Sequence, residues 1–277
     1  MRLKQCRPSV DIHIMRLIKI INEKNGTIII LSISIAVLIA FFMFDPIGQD
    51  NEYHNFSDTM SGMFIPNMLN VLSNIPFLMV GVLGLVALKA EGRGALKILN
   101  ANYYAYLALF LGAALVGIGS GYYHLWPSNE TLVWDRIPMT IAFMGLFSVI
   151  ISEFISIKLG RICLIPFLCI GLASVLYWRF TEIWGEGDLR YYAVVQFFPI
   201  LTIPVMLVFF KSNYSCRSGY WVLLATYVAA KLFETFDSQV HGFLGVISGH
   251  SIKHILPAMG LYYLIKVYRK REGVEQR

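Results

Sequence analysis

Charge is scarce in this chain. Asp, Glu, Lys and Arg make up 14% of its 277 residues while 57% are hydrophobic, against about 25% charged in an ordinary soluble domain. That shortage excludes a conventional water-soluble core with a solvated surface. Cysteine is sparse too. Cys6, Cys163, Cys169 and Cys216 are too few and too badly placed for a disulfide framework in exported loops. No low-complexity tract and no clear internal repeat interrupts the chain, and the linkers are short, so a single compact bundle is expected. Most informative is where basic residues are missing: the segments 45–66, 123–135 and 237–249 contain no Lys or Arg at all.

What fills the chain instead is long apolar runs, the signature of membrane spans. We expect an all-α polytopic bundle with eight spans, near 27–44, 67–88, 102–122, 136–156, 161–178, 191–210, 219–236 and 250–268. The seventh is interrupted by Lys231 and Glu234. The net charge of +6 would suit nucleic acid if it were clustered on one face, but it is not. All Lys and Arg except Arg136, Arg179, Arg190, Lys231 and Lys253 fall in the N-terminal tail, the 89–97 loop, the 158–161 turn, the 211–217 loop and the C-terminal tail. Those are alternate loops plus both tails, and basic loops stay in the cytoplasm. Both termini are then cytoplasmic, which requires an even number of spans. The loops without Lys or Arg face a periplasm or a lumen, with a bacterial inner membrane favoured. The basic lead-in to the first span is 26 residues long and no small-residue cleavage site precedes Asp45-Pro46, so this span reads as a retained helix. The expected organisation is a cytoplasmic tail over 1–26, a first helix over 27–44, a main helical domain over 67–268 and a basic tail over 269–277.

Polar residues then gather at the outer face. Span three ends with Ser120 and His124, four apart and so on one helix face. Span four opens with Asp135, and Pro138 suits a first helical turn. Span eight opens with His250, and His254 lies one turn deeper. An i, i+4 histidine pair on a helix can bind one metal ion, and His124 is expected at the same depth. Three histidines with an open fourth position form the catalytic zinc pattern. The open position holds a water whose pKa falls to about 7. Asp135 could take the proton as that water attacks a carbonyl, and Ser120 could donate to the oxyanion.

Each residue also has a plainer reading. A membrane histidine can be a helix-to-helix hydrogen-bonder. Asp135 could cap span four. Ser120 could be a small packing residue among Gly117, Gly119 and Gly121. Lys231 and Glu234 read as an ion pair that orients span seven. Asp237 could fix the tautomer of a ligand histidine from behind. His241 is a reserve fourth ligand or simply a solvated loop residue. Arg136 and Lys253 lie beside the site, where they would meet either a lipid headgroup or the surface. The tail from Lys266 to Arg271 reads as a stop-transfer signal and anionic-lipid anchor.

At these residues the chain resembles the alkaline ceramidases, within the wider superfamily of membrane hydrolases that includes adiponectin-type receptors. The matching motifs are Gly119-Ser120 with His124, Asp135 eleven residues on within Asp-x-x-Pro-Met, and His250-x-x-x-His254. Asn70-Val71-Leu72-Ser73-Asn74 is similar to the polar start of the family's first core helix. The resemblance covers about 67–268. It implies a seven-helix core with the first span as an addition, zinc on His124, His250 and His254, Asp135 as proton acceptor and Ser120 as oxyanion donor. The implied reaction is hydrolysis of ceramide or a related N-acyl lipid to a fatty acid and an amine. The eukaryotic members carry an acidic calcium-binding segment and a glutamate at the position of Asn67. Asp50, Glu52 and Asp58 offer oxygen ligands here, but not in the family's order, which weighs against calcium.

The expected function is therefore a zinc-dependent intramembrane amidase whose only partners are the bilayer and a lipid substrate, with no nucleic acid or protein partner. An outer rim of Tyr122, Tyr123, Trp126 and Trp134 suits the interface. Two alternatives keep the same site: a hydrolase of glycerolipid esters, or a lipid sensor with little turnover. A transporter fits less well, because the polar groups cluster at one face rather than at mid-membrane.

Overall fold

Long apolar segments in lipid must satisfy their backbone internally, and helices are the economical way to do so. The computed structural model describes residues 12–273. Among these it is helical with no β-strand beyond two isolated bridges. The helices are α1 (Ile12–Met43), α2 (Met68–Leu72), α3 (Ile75–Lys89), α4 (Tyr103–Leu125), α5 (Asn129–Phe154), α6 (Ile157–Ile183), α7 (Arg190–Phe209), α8 (Ser218–Thr235), α9 (Asp237–Leu244) and α10 (Gly249–Lys270). Six segments are long and apolar enough to cross a membrane by length and composition: Ile20–Met43, Met68–Lys89, Asn100–Leu125, Asn129–Phe154, Ile157–Ile183 and Arg190–Phe209. They coincide with the first six expected spans. The seventh and eighth, α8 and α10, form as helices of 18 and 22 residues but fall outside that apolar set. Lys231 and Glu234 on α8 and Lys253 on α10 turn inward to line a cavity, so these helices are polar within rather than lipid-like throughout.

Several boundaries differ from the sequence reading, each for a local reason. Helix α1 extends back to Ile12, through much of the stretch assigned to a tail. Residues 1–11 and 274–277 lie outside the described residues. Helix α5 starts a full two turns before Arg136. Ser128 caps it and exchanges bonds with Thr131 in a capping box, which satisfies the free N–H groups of a helix start. Asp135 is thus not a cap, and Pro138 sits inside the helix rather than in its first turn. A proline there cannot bond the carbonyl four residues back, which is Trp134. Gly119 of α4 lies against that carbonyl: a Cβ at position 119 would come within 1.9 Å of Trp134 O. Only glycine lets the two helices approach so closely at this level. The expected second span is broken at Ser73-Asn74 into α2 and α3.

At the end of the bundle away from the histidines, one buried ion pair ties several segments together. Arg271 donates to both carboxylate oxygens of Glu153, at 2.7 and 2.9 Å, and both side chains are fully buried. Tyr106 and Tyr220 also donate to Glu153, at 2.5 and 2.8 Å. Arg271 Nε bonds Lys97 O, and its guanidinium lies over Tyr214 and Tyr268. The sequence reading placed Arg271 in a lipid-facing basic tail; it is instead an internal staple, because it meets a carboxylate that the pattern of α5 does not advertise. Removing one partner of such a pair strands the other charge, at a cost of about 3–5 kcal/mol. We expect Arg271→Met to lower the thermal midpoint of the detergent-solubilised protein by about 10 °C, and Glu153→Met/Arg271→Met to recover most of it. A double variant as unstable as the sum of its parts would show that the two side chains do not act as a pair.

Candidate metal centre

Each histidine is presented by a helix end whose geometry is fixed locally. His124 lies in the last turn of α4, and its carbonyl, free at a helix C-terminus, accepts from Asn67 Nδ2 at 2.9 Å. His250 and His254 lie on successive turns at the start of α10. Ser248 caps that helix by accepting from Ser251 N. The Asp237 carboxylate adds a second cap, taking the N–H of His250 at 2.7 Å and that of Ser57 at 3.0 Å. Asp237 therefore acts on the backbone of a candidate ligand and not on its ring, the role expected from sequence. Asn70 Oδ1 accepts from Ser251 Oγ at 2.8 Å, locking α2 to α10.

The three rings converge. The candidate ligand atoms of His124, His250 and His254 all lie within 4.8 Å of one another, and all three side chains are buried. His124 Nε2 and His254 Nε2 are 3.3 Å apart. Two imidazole nitrogens sharing a tetrahedral zinc at 2.0–2.1 Å stand about 3.3–3.4 Å apart, so this spacing fits a common cation. An N–H···N bond between these two rings would also fit it. That arrangement leaves His250 Nε2 buried without any partner among the described residues, a costly state. A cation held by the cluster would give His250 Nε2 the partner it lacks. His124 Nδ1 has no partner in either arrangement.

The orientation of His254 is set from behind. Its Nδ1 is 2.8 Å from Ser73 Oγ, and Ser73 Oγ bonds Asn70 O at 2.9 Å. With the Ser73 proton on that carbonyl, His254 Nδ1–H donates to Ser73 and Nε2 keeps its lone pair for a metal. Asn74 Nδ2 is a second neighbour of Nδ1 at 3.3 Å. This contact explains the break in the second span: Ser73 and Asn74 sit at the α2–α3 junction, where the chain can turn both inward. The sequence reading singled out this Asn-rich stretch for its resemblance and assigned it no contact.

A lid that sequence reasoning missed closes the site. Phe56 packs its ring against His124 at 4.7 Å and His250 at 4.5 Å between centroids. The lid segment is stitched down by His54 to Tyr123 and Asn129 and by Tyr53 OH to Glu234 Oε1 at 3.2 Å. Burial pushes the Tyr53 phenol well above its ordinary pKa, and Glu234 adds to that, so Tyr53 stays a donor. His241, the reserve ligand, lies outside the cluster and bonds Ser57 O. The calcium candidates do not assemble. Asp50 caps a short 3-10 turn over Asn51–His54, and Glu52 accepts from Asn55. Asp58 is buried and receives Met60 N. The only group of three or more metal-ligand residues among those described is the histidine cluster.

Asp135 and Ser120 stand outside that cluster, side by side across the α4–α5 contact, and share a cavity wall with His254. The cavity measures about 340 Å³. From Asp135 it runs past Met139, Phe143 and Leu146 to Ile150, about 22 Å along α5 at 1.5 Å per residue. Its deep part is walled by apolar side chains of α5, α7, α8 and α10. No family model, curated protein or solved structure matches this chain.

Metal analysis of protein purified without chelator should find about one divalent ion per chain, abolished in His250→Ala. Ser73→Ala should keep the ion but weaken it by about 10–100-fold in chelator competition. Wild-type protein that takes up no zinc, or Ser73→Ala with unaltered affinity, would remove this description of the centre.

Proposed function

We propose that this chain is a zinc-dependent hydrolase of the membrane that cleaves the amide bond of an N-acyl lipid, releasing a fatty acid and an amine. The observation that carries the reading is the junction of two things at His254: three buried imidazoles converging on one point, and an apolar cavity long enough for an acyl chain that begins there. Three neutral imidazoles suit zinc among the common divalent ions. The ion would supply Lewis acidity and a water activated near neutral pH.

The chain's own residues do the rest. Asp135 accepts a proton as water adds to the amide carbonyl carbon. Ser120, beside it, donates its hydroxyl to the oxyanion that develops on the carbonyl oxygen. The C–N bond then breaks, and the nitrogen leaves with the proton that Asp135 held. The apolar wall holds the acyl chain and keeps bulk water from the reacting atoms. Phe56 and its stitched segment cover the opposite side of the rings. The likeness to the alkaline ceramidases supports the same roles for the same residues.

Sidedness follows from charge. Basic residues concentrate toward the end of the bundle away from the histidines, so that end faces the cytoplasm and the site lies near the periplasmic or lumenal surface. Asp135→Asn should retain the metal and lose about 10²–10⁴-fold of fatty-acid release from N-acyl lipids in mixed micelles. Asn at 135 with metal bound and turnover at the wild-type rate would end the role given to this carboxylate. A wild-type enzyme that spares all amides and cleaves glycerolipid esters would move the substrate to that class.

A further inference from the structure

One charge at the head of the cavity has no counter-ion. Arg136 is 6% exposed and lines the cavity beside Asp135. Its guanidinium is sandwiched against Trp178 at 4.2 Å and Tyr192 at 4.8 Å. Nη2 donates to Gln49 Oε1, but Nη1 is buried without a hydrogen-bond partner. No carboxylate lies within ion-pair distance of it among the described residues. Its cationic neighbours on the wall are differently placed: Lys253 and Lys231 both donate to Glu234, each at 2.6 Å. The charged side chains lining the cavity are Asp135 and Glu234 against Arg136, Lys231 and Lys253. One positive charge is left over, before any metal is counted.

A buried cation without an ion-pair partner is costly, and within a membrane protein such a group marks a functional site. Stacking on two aromatic rings holds the guanidinium in place. It does not satisfy Nη1. Guanidinium forks are matched to phosphate, and their bonds to it are roughly twice as strong as neutral ones. The same cavity continues into the apolar wall, so the anion and the acyl chains fit one amphiphile.

We propose that Arg136, with Lys253 opposite, is a headgroup site for a phosphate, and that the preferred substrate is a phosphate-bearing N-acyl lipid rather than a neutral one. This rests on the hydrolase reading of the metal centre. The amide lies at His254, Asp135 and Ser120, the chains run down the cavity, and the phosphate meets the guanidinium of Arg136. Asp135 is left free of a salt bridge to its neighbour and keeps its place beside Ser120.

The test uses the full chain in micelles and a pair of lipids that differ only in the phosphate, ceramide 1-phosphate and ceramide with identical chains. Binding is measured by native mass spectrometry and turnover by fatty-acid release. Wild type should bind the phosphorylated lipid at least about tenfold more tightly. Arg136→Gln should bring the two lipids to near parity with its zinc content unchanged, and Arg136→Lys should restore part of the preference. Lys253→Met, on another helix, should reduce it severalfold. The wild-type comparison needs no variant to fold. Equal binding of both lipids by wild type, or an Arg136→Gln protein with the full preference, would overturn the headgroup site and leave Arg136 as a stacking staple. The two ideas fail separately. Selective binding without any fatty-acid release removes the hydrolase reading and keeps the phosphate site, while release from both lipids at equal rates does the reverse.

Discussion

A neutral imidazole buried away from water has one nitrogen that must give a proton and one that must receive something. Three such rings meeting at a point multiply the problem, because the receiving nitrogens face each other rather than donors. His254 solves its giving side through Ser73, and His250 Nε2 is left facing the cluster with nothing to receive. A metal cation can accept several facing lone pairs at once. Much of the local architecture follows from holding the rings in that relation: the α2–α3 break that delivers Ser73, the double cap that fixes the first turn of α10, and Phe56 laid over two of the rings.

The two ends of the bundle show what a satisfied and an unsatisfied polar cluster look like in the same protein. Around Glu153 and Arg271 both carboxylate oxygens and all three guanidinium nitrogens have partners. A cluster closed in this way rigidifies and offers nothing to a ligand. At the other end His250 Nε2, His124 Nδ1 and Arg136 Nη1 are all buried and open. Buried polar atoms left open in this way call for an explanation. The cavity links the two ends. Tyr220 lines it and also donates to Glu153, so the rigid end forms the base against which the apolar wall is built.

The sequence makes some of this legible and hides the rest for physical reasons. The all-α membrane class and the first six spans show through, because hydropathy is a local property summed over a helix. The His250/His254 pair is visible because i, i+4 spacing is local as well. The convergence of His124 on that pair needs the depth of two helix ends, and charge-poor loops supply it. The true start of α5 was hidden because Pro138 imitates a first-turn proline while the actual cap, Ser128 with Thr131, lacks the acidic partner that usually marks such a box. Phe56, Ser73 and the Glu153–Arg271 pair depend on contacts between residues far apart in the chain. No periodicity encodes these, and a lone glutamate in an apolar helix does not name its partner. Asp237 was found by its position and misassigned in its target, since position alone does not distinguish a ring N–H from a backbone N–H.

The placement of Ser120 and Asp135 beside the histidines follows from a single interhelical contact. Ser120 and His124 share a face of α4, and Asp135 lies on α5 one residue from Trp134. The carbonyl of Trp134 lacks its usual helical donor because Pro138 has none to give. Gly119 packs directly on that carbonyl, with no room for a Cβ. The gap between α4 and α5 is thus set within one turn of all three polar groups, by a residue that removes a donor on one helix and a residue that removes a side chain on the other. Any side chain at 119 would push α4 outward. His124 would then leave His250 and His254, and Ser120 would leave Asp135, in the same movement. The histidine cluster and the Asp135–Ser120 pair therefore depend on one close approach: the geometry that brings the imidazoles together is the geometry that sets the carboxylate and hydroxyl beside them.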